Sequence, residues 1–179
     1  MVRAAAKNYN DVTVITSVDH YSELINELKK NKGNTTLKFR EKMSRLAFDE
    51  TAYYEAVISN YFNKFNNINF PKRKILYTNL VENLRYGENP HQIGAFYSQN
   101  IKNKLDQIHG KNLSYNNYSD IFAALTISKS LPKNTGTVII KHGNPCGVSV
   151  LKNNLNSYKL ALNSDPISAF GGIVSCNYK

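Results

Sequence analysis

The sequence predicts an α/β fold, with helices laid over short strands, and three observations predict it. Two β-branched runs, DVTVIT at 11–16 and TVII at 137–140, have the length and composition of buried strands. Apolar residues recur at helical spacing between such runs, as at Tyr21, Leu24, Ile25 and Leu28. In the second half strand-like and helix-like segments alternate, which is the order that layered α/β architectures require.

Taken in order, residues 11–16 read as one short buried strand. Asp19 is the expected N-cap of a helix carrying the Tyr21, Leu24, Ile25 and Leu28 stripe, which Gly33 closes. A second helical region runs from about Thr36, with Phe39, Met43, Leu46 and Ala47 on one face. It continues or restarts at Asp49, with Tyr53, Ala56, Val57 and Tyr61 facing inward. From 63 to 74 the pattern collapses into NKFNNINFPKRK, polar and broken by proline, which marks a linker and divides the chain into domains of 1–74 and 75–179. Beyond it, 95–97 is expected as a strand, 120–130 as a helix and 137–140 as a buried strand. Leu151, Leu155, Tyr158 and Leu162 supply the stripe of a further helix, and 172–175 the last strand. No internal repeat is visible.

Composition narrows the class. The chain is 41% hydrophobic and 20% charged, as soluble globular proteins are. No run approaches the roughly 18 apolar residues that span a bilayer, and the first residues lack the apolar core of a signal peptide. Two cysteines do not make a disulfide framework. A reduced, cytoplasmic protein is expected, with neither a membrane nor a nucleic acid as partner. The formal charge of +10 is concentrated only at 30–42 and 70–74, and neither stretch interleaves aromatics with base-reading amides. It reads as a basic surface suited to attracting small anionic substrates.

Four polar, Gly- and Pro-punctuated stretches stand out in the second half. NLRYGENPHQ (83–92) gathers Arg85, Tyr86, Glu88, Asn89 and His91, and a guanidinium is a natural partner for phosphate. An exposed turn would look the same. LSYNNYSD (113–120) offers Asn116 and Asn117 to a heterocycle, while Asp120 suits the N-cap of the next helix. VIIKHGNPCGVSV (138–150) sets Lys141 beside His142 where an apolar run stops. Successive strand side chains point to opposite faces, so both could serve one site only if the strand ends at Ile140 and the chain turns at 143–145. Strand ends of α/β sheets are where ligands bind. A histidine there suits a general base, and a neighbouring ammonium suits an oxyanion. A surface lysine beside a hydrogen-bonded histidine is the structural alternative. In DPISAFGGI (165–173), Gly171 and Gly172 either bare backbone amides to a ligand or make a tight turn. Pro145-Cys146 has the look of half a zinc-deaminase signature, but no H-x-E accompanies it and Ser149 stands where a second cysteine belongs. A zinc site is therefore not expected, and Cys146 reads as a small turn residue.

RAAAKN, LRYGENPHQ, LSYNN, KHGNPCG and DPISAFGG, in this order and spacing, resemble one family along essentially the whole chain. It is the bifunctional phosphoribosylaminoimidazolecarboxamide (AICAR) formyltransferase / IMP cyclohydrolase family of purine biosynthesis. The resemblance implies that residues 1–74 are the tail of a cyclohydrolase domain with a methylglyoxal-synthase-like core. Residues 75–179 would begin a formyltransferase domain built from cytidine-deaminase-like layers without zinc. It further implies an internal piece of a longer protein, inactive by itself in both reactions. Lys141 and His142 match the family's catalytic pair for formyl transfer from 10-formyltetrahydrofolate to AICAR. Lys7 matches the lysine that moves a proton in the closure of formyl-AICAR to IMP. Arg85 and Tyr86 match nucleotide-binding positions, Asn117 and Gly171 substrate contacts, and Phe170 would line the same pocket. No metal is implied, and the complete protein would be a homodimer. Two departures are mild: Gly143 stands where alanine or another small residue is common and is expected to loosen the turn, and Glu50 stands where a histidine is usual.

Overall fold

A computed structural model describes residues 1–100 and 105–178, which form two compact units, Met1–Tyr77 and Thr78–Lys179. Helix and strand are mixed, as an α/β fold requires, but they are segregated: the first unit is helical among the described residues and the strands belong to the second. No helix among the described residues is long and apolar enough to cross a membrane.

In the first unit, α1 (Val2–Lys7), α2 (Tyr21–Lys30) and α3 (Leu37–Phe65) carry the structure. Thr36 caps α3, its hydroxyl accepting the Phe39 N–H at 3.3 Å, so the helix starts where the sequence places it. No break occurs at Asp49. The two predicted segments are one helix of 29 residues, because nothing between Leu37 and Phe65 is a glycine or proline. Its buried face is Phe39, Met43, Ser44, Ala47 and Ala56. Ala6 of α1 is fully buried, and Ser44 Oγ donates to its carbonyl at 2.6 Å, which lets the two helices approach closely. Tyr61, expected inside, is 60% exposed.

The predicted strand at 11–16 is irregular and pairs with no strand among the described residues of this unit. β-Branched residues favour extension, yet a strand needs a ladder partner. The segment is held instead by Thr13 and Thr35, whose hydroxyls lie 2.8 Å apart, and by Arg40. That guanidinium donates to the carbonyls of Tyr9 at 2.8 Å and Asn10 at 2.6 Å. α2 also starts differently. Ser17, not Asp19, caps a short 3-10 turn at Val18–His20 that leads into it. Gly33 closes α2 as expected, with φ of +88° and its N–H on the Leu28 carbonyl at 2.8 Å. Tyr21 and Ile25 of the stripe remain exposed.

Among its described residues the second unit contains two antiparallel sheets. β1 (Asn79–Asn83) pairs with β2 (Ala95–Ser98), and β3 (Gly136–Lys141) sits between β4 (Asn144–Val150) and β5 (Ile173–Cys176). α4 (Tyr115–Ser130) and α5 (Asn154–Ser164) cover the three-stranded sheet, and α6 (Pro166–Ala169) precedes β5. Central position explains the continuous apolar run of β3: Val138, Ile139 and Ile140 are all at most 1% exposed. Val138 and Ile140 pack with Ala124 of α4, together with Ile127, Leu131 and Ile173. The alternate residue Thr137 faces α5, with its hydroxyl 3.0 Å from Ser157 Oγ.

Two helix readings change here. α4 begins at Tyr115 with Ser114 as N-cap, and Ser114 and Asn117 form a reciprocal capping box. Asp120 therefore lies inside the helix and does not cap it. In α5, capped by Asn153, the buried residues are Ser157 and Ala161, whereas Leu155 is 60% exposed. Close packing explains this. A Cβ on Gly147 of β4 would stand 1.9 Å from the Ala161 carbonyl oxygen, so only small residues fit between that strand and α5.

Candidate functional site

β3 and β4 join through a two-residue turn, His142–Gly143, because Lys141 pairs directly with Asn144. His142 has φ of +53° and Gly143 φ of +74°, the double left-handed signature of a tight hairpin turn. The strand thus ends one residue later than expected, and the turn lies ahead of Asn144 and Pro145 rather than across them. Glycine is what this turn asks of position 143, so Gly143 fits the turn instead of loosening it. Ile139 faces Gly147 while Ile140 faces Pro145, which leaves Cys146 as the extra residue of a β-bulge. Pro145 lacks an N–H, and edge strand β4 tolerates it at this irregularity.

Lys141, the last residue of β3, and His142 of the turn border one cleft of about 430 Å³ with Asn144, Pro145, Cys146, Asp165 and Ser168. Lys141 Nζ donates to the Phe170 carbonyl at 2.8 Å. Asp165 caps α6, accepting the Ser168 N–H at 3.0 Å. Bonds from the Ser168 side chain and backbone hold the Asp165 carboxyl below its ordinary range, and the charge of Lys141 acts in the same direction. Gly171 has φ of +74°, and the Gly172 N–H is used by the Ala169 carbonyl at 3.0 Å, so these glycines make a tight turn into β5. The Phe170 ring is 84% exposed and is not among the residues bordering the cleft; its carbonyl is what meets the site.

A second polar group surrounds the start of α4. The Arg85 N–H bonds the Leu113 carbonyl at 2.9 Å and the Tyr115 N–H the Tyr86 carbonyl at 3.1 Å, which joins NLRYGENPHQ to LSYNN. Arg85 lies over the Tyr86 ring at 4.8 Å and its Nη2 donates to the Tyr86 hydroxyl at 3.2 Å. A hydrogen bond with the Ser114 side chain, then the bond and charge of Arg85, lower the Tyr86 phenol below its usual value. Asn117 Oδ1 accepts from the Ser114 N–H and hydroxyl, each at 3.0 Å, which commits that oxygen to the helix cap. Asn116 is structural, its Nδ2 on the Glu88 carbonyl at 3.0 Å.

The expected residues of the second unit therefore fall into two clusters: Lys141, His142 and the Phe170–Gly171 turn, and Arg85, Tyr86 and Asn117. One turn of α4 separates Asn117 from Asp120, about 4.5 Å along the axis, and Asp120 reaches the hairpin. Its Oδ1 accepts the Gly143 N–H at 2.7 Å. That contact and the cleft-lining Asp165 and Ser168 are what reading the sequence missed. The Asp-Pro pair at 165–166, a capping residue before a proline at the first helical position, was the available signal for the latter. Lys7 belongs to the first unit, exposed at the last position of α1.

The family model for the AICARFT/IMPCHase bienzyme matches residues 5–179. The bifunctional purine biosynthesis protein PurH of Bradyrhizobium diazoefficiens is 44% identical over 183 residues, covering 99% of this chain and 34% of that protein. PurH of Thermoanaerobacter sp. is 43% identical, with 99% of this chain and 35% of that protein covered. PurH of Buchnera aphidicola is 44% identical, with 100% and 36% covered. The chain spans about a third of the length of these relatives. By a family match along nearly its whole length, the chain belongs to the AICARFT/IMPCHase bienzyme family.

Proposed function

We propose that the protein carrying this chain performs two consecutive reactions of IMP synthesis, formyl transfer from 10-formyltetrahydrofolate to AICAR and dehydrative closure of formyl-AICAR to IMP. The observation that carries this reading is the placement of Lys141 and His142 together at one hairpin end bordering one cleft, within a chain of this family. The amine of AICAR is a weak nucleophile because its lone pair is delocalised into the ring and its carboxamide. His142 takes the amine proton as nitrogen attacks the formyl carbon. Lys141 stabilises the oxyanion that develops on the formyl oxygen, or protonates the folate nitrogen as it leaves. Arg85, lying over the Tyr86 ring, presents donors suited to the 5′-phosphate, with Asn117 and Gly171 as further substrate contacts. Lys7 moves the proton in ring closure.

On this reading residues 1–74 come from the cyclohydrolase domain, with its methylglyoxal-synthase-like core, and 75–179 begin a deaminase-like formyltransferase domain. A division of the fold within a few residues of that boundary supports it. The complete protein acts as a homodimer in the cytoplasm, and neither step requires a metal. The test uses the complete protein. His142→Ala is expected to abolish formyl transfer, with cyclisation of supplied formyl-AICAR as internal control, and Lys7→Ala to impair cyclisation. Formyl transfer at the wild-type rate in His142→Ala would overturn the role given to His142.

A further inference from the structure

The peptide unit between His142 and Gly143 is held from both sides. Its N–H, that of Gly143, donates to Asp120 Oδ1 at 2.7 Å. Its carbonyl, that of His142, accepts from Asn144 Nδ2 at 3.0 Å. In a two-residue hairpin turn the N–H of the second central residue takes no part in the ladder, which runs between the flanking residues. Here a carboxylate from α4, more than twenty positions earlier in the chain, captures it. Position 142 is also where the backbone needs such help. A side chain with φ of +53° is in a sparsely populated region, which persists only where its surroundings impose it. The orientation of that one peptide sets ψ of His142 and φ of Gly143, and hence where the imidazole starts and which way it leaves the chain.

We propose that Asp120 is a positioning residue for His142. Resting on the formyl-transfer reading above, the proposal assigns Asp120 no contact with substrate. Its carboxylate fixes the turn peptide, and the turn aims the imidazole at the cleft. Displacement of a catalytic group by an ångström costs on the order of 10²-fold in rate. The role requires an oxygen acceptor and not a charge, so asparagine, which retains Oδ1, should substitute where alanine cannot.

The experiment uses the complete protein with Asp120→Ala, Asp120→Asn and His142→Ala. Formyl transfer is followed by steady-state kinetics, and the Gly143 amide by hydrogen exchange. Asp120→Ala is expected to lower kcat for formyl transfer about 10- to 100-fold, with KM for AICAR within about twofold and the Gly143 amide exchanging faster. Asp120→Asn is expected to restore both kcat and amide protection. The proposal is overturned if Asp120→Ala deprotects Gly143 and keeps the wild-type kcat. It is equally overturned if Asp120→Asn protects Gly143 but is as slow as alanine, which would assign the effect to charge. Should Asp120→Ala not fold, the asparagine variant decides on the same two readings. Wild-type activity in His142→Ala would instead remove the functional reading beneath it, whereas loss in His142→Ala with none in Asp120→Ala removes this inference alone.

Discussion

Lys141 Nζ donates to the carbonyl oxygen of Phe170 at 2.8 Å, closing a loop of 29 positions between the end of β3 and the turn before β5. Lys141 alternates with Thr137 and Ile139 along β3, which places it on the face opposite Val138 and Ile140 and their partner α4. Asp120 of α4 grips the next turn from the other side. The hairpin end is thus held by α4 on one side and by the turn before β5 on the other.

Lys141→Met keeps most of the side-chain stem and removes the ammonium. In the complete protein, formyl transfer is expected to fall by about 10²-fold or more, the scale on which a placed donor at a developing oxyanion acts. The freed Phe170 carbonyl predicts faster amide exchange across 169–172 in the same variant. Transfer within threefold of wild type would show that the ammonium serves only to hold the loop.

Gly147→Ala tests the packing of β4 against α5. Its Cβ would meet the Ala161 carbonyl oxygen at 1.9 Å, a backbone atom that can yield only if α5 moves away from β4. Overpacking of this kind destabilises by about 1–3 kcal/mol. The denaturant midpoint of the variant is expected to fall accordingly, measured by urea titration with tryptophan-independent far-UV circular dichroism. An unchanged midpoint would mean that α5 is free to shift.

The same contact marks the limit of what the sequence disclosed. β3 was legible because a central strand is apolar without interruption, and Lys141-His142 stood out because polar residues interrupt that run abruptly. α5 starts at Asn154, past Leu151, and buries a different face from the one its leucine spacing indicates. Its leucines follow helical spacing, yet the sheet accepts only Ser157 and Ala161, since Gly147 brings the strand too close for anything larger. Periodicity registers side-chain polarity and not the distance between backbones. Asp120 hides its role for a related reason: a carboxylate near a helix start looks like a cap, and its bond to Gly143, 23 positions away, has no local sequence signature. Residues 11–16 have strand composition, but composition does not supply the partner a ladder needs.

Tyr118 offers a test through pH. Its ring is 5% exposed and stacked on Phe96 at 4.8 Å, and its hydroxyl donates to Glu82 Oε1 at 2.7 Å. Burial first, then the Glu82 carboxylate that accepts the proton, push the phenol up to about 12. In the unfolded chain a tyrosine titrates near 10. A folded value above the unfolded one means that the stabilisation is complete below pH 10 and is lost as pH rises towards 12. Tyr118→Phe deletes both the titration and a hydrogen bond to a charged group, so at pH 8 it is expected to be less stable by about 1–3 kcal/mol. Between pH 10 and 12 wild type should lose stability that the variant does not, and the difference between their urea midpoints should close. A difference that stays constant from pH 8 to 12 would show that Tyr118 titrates alike in both states and that its bond to Glu82 does not hold the proton.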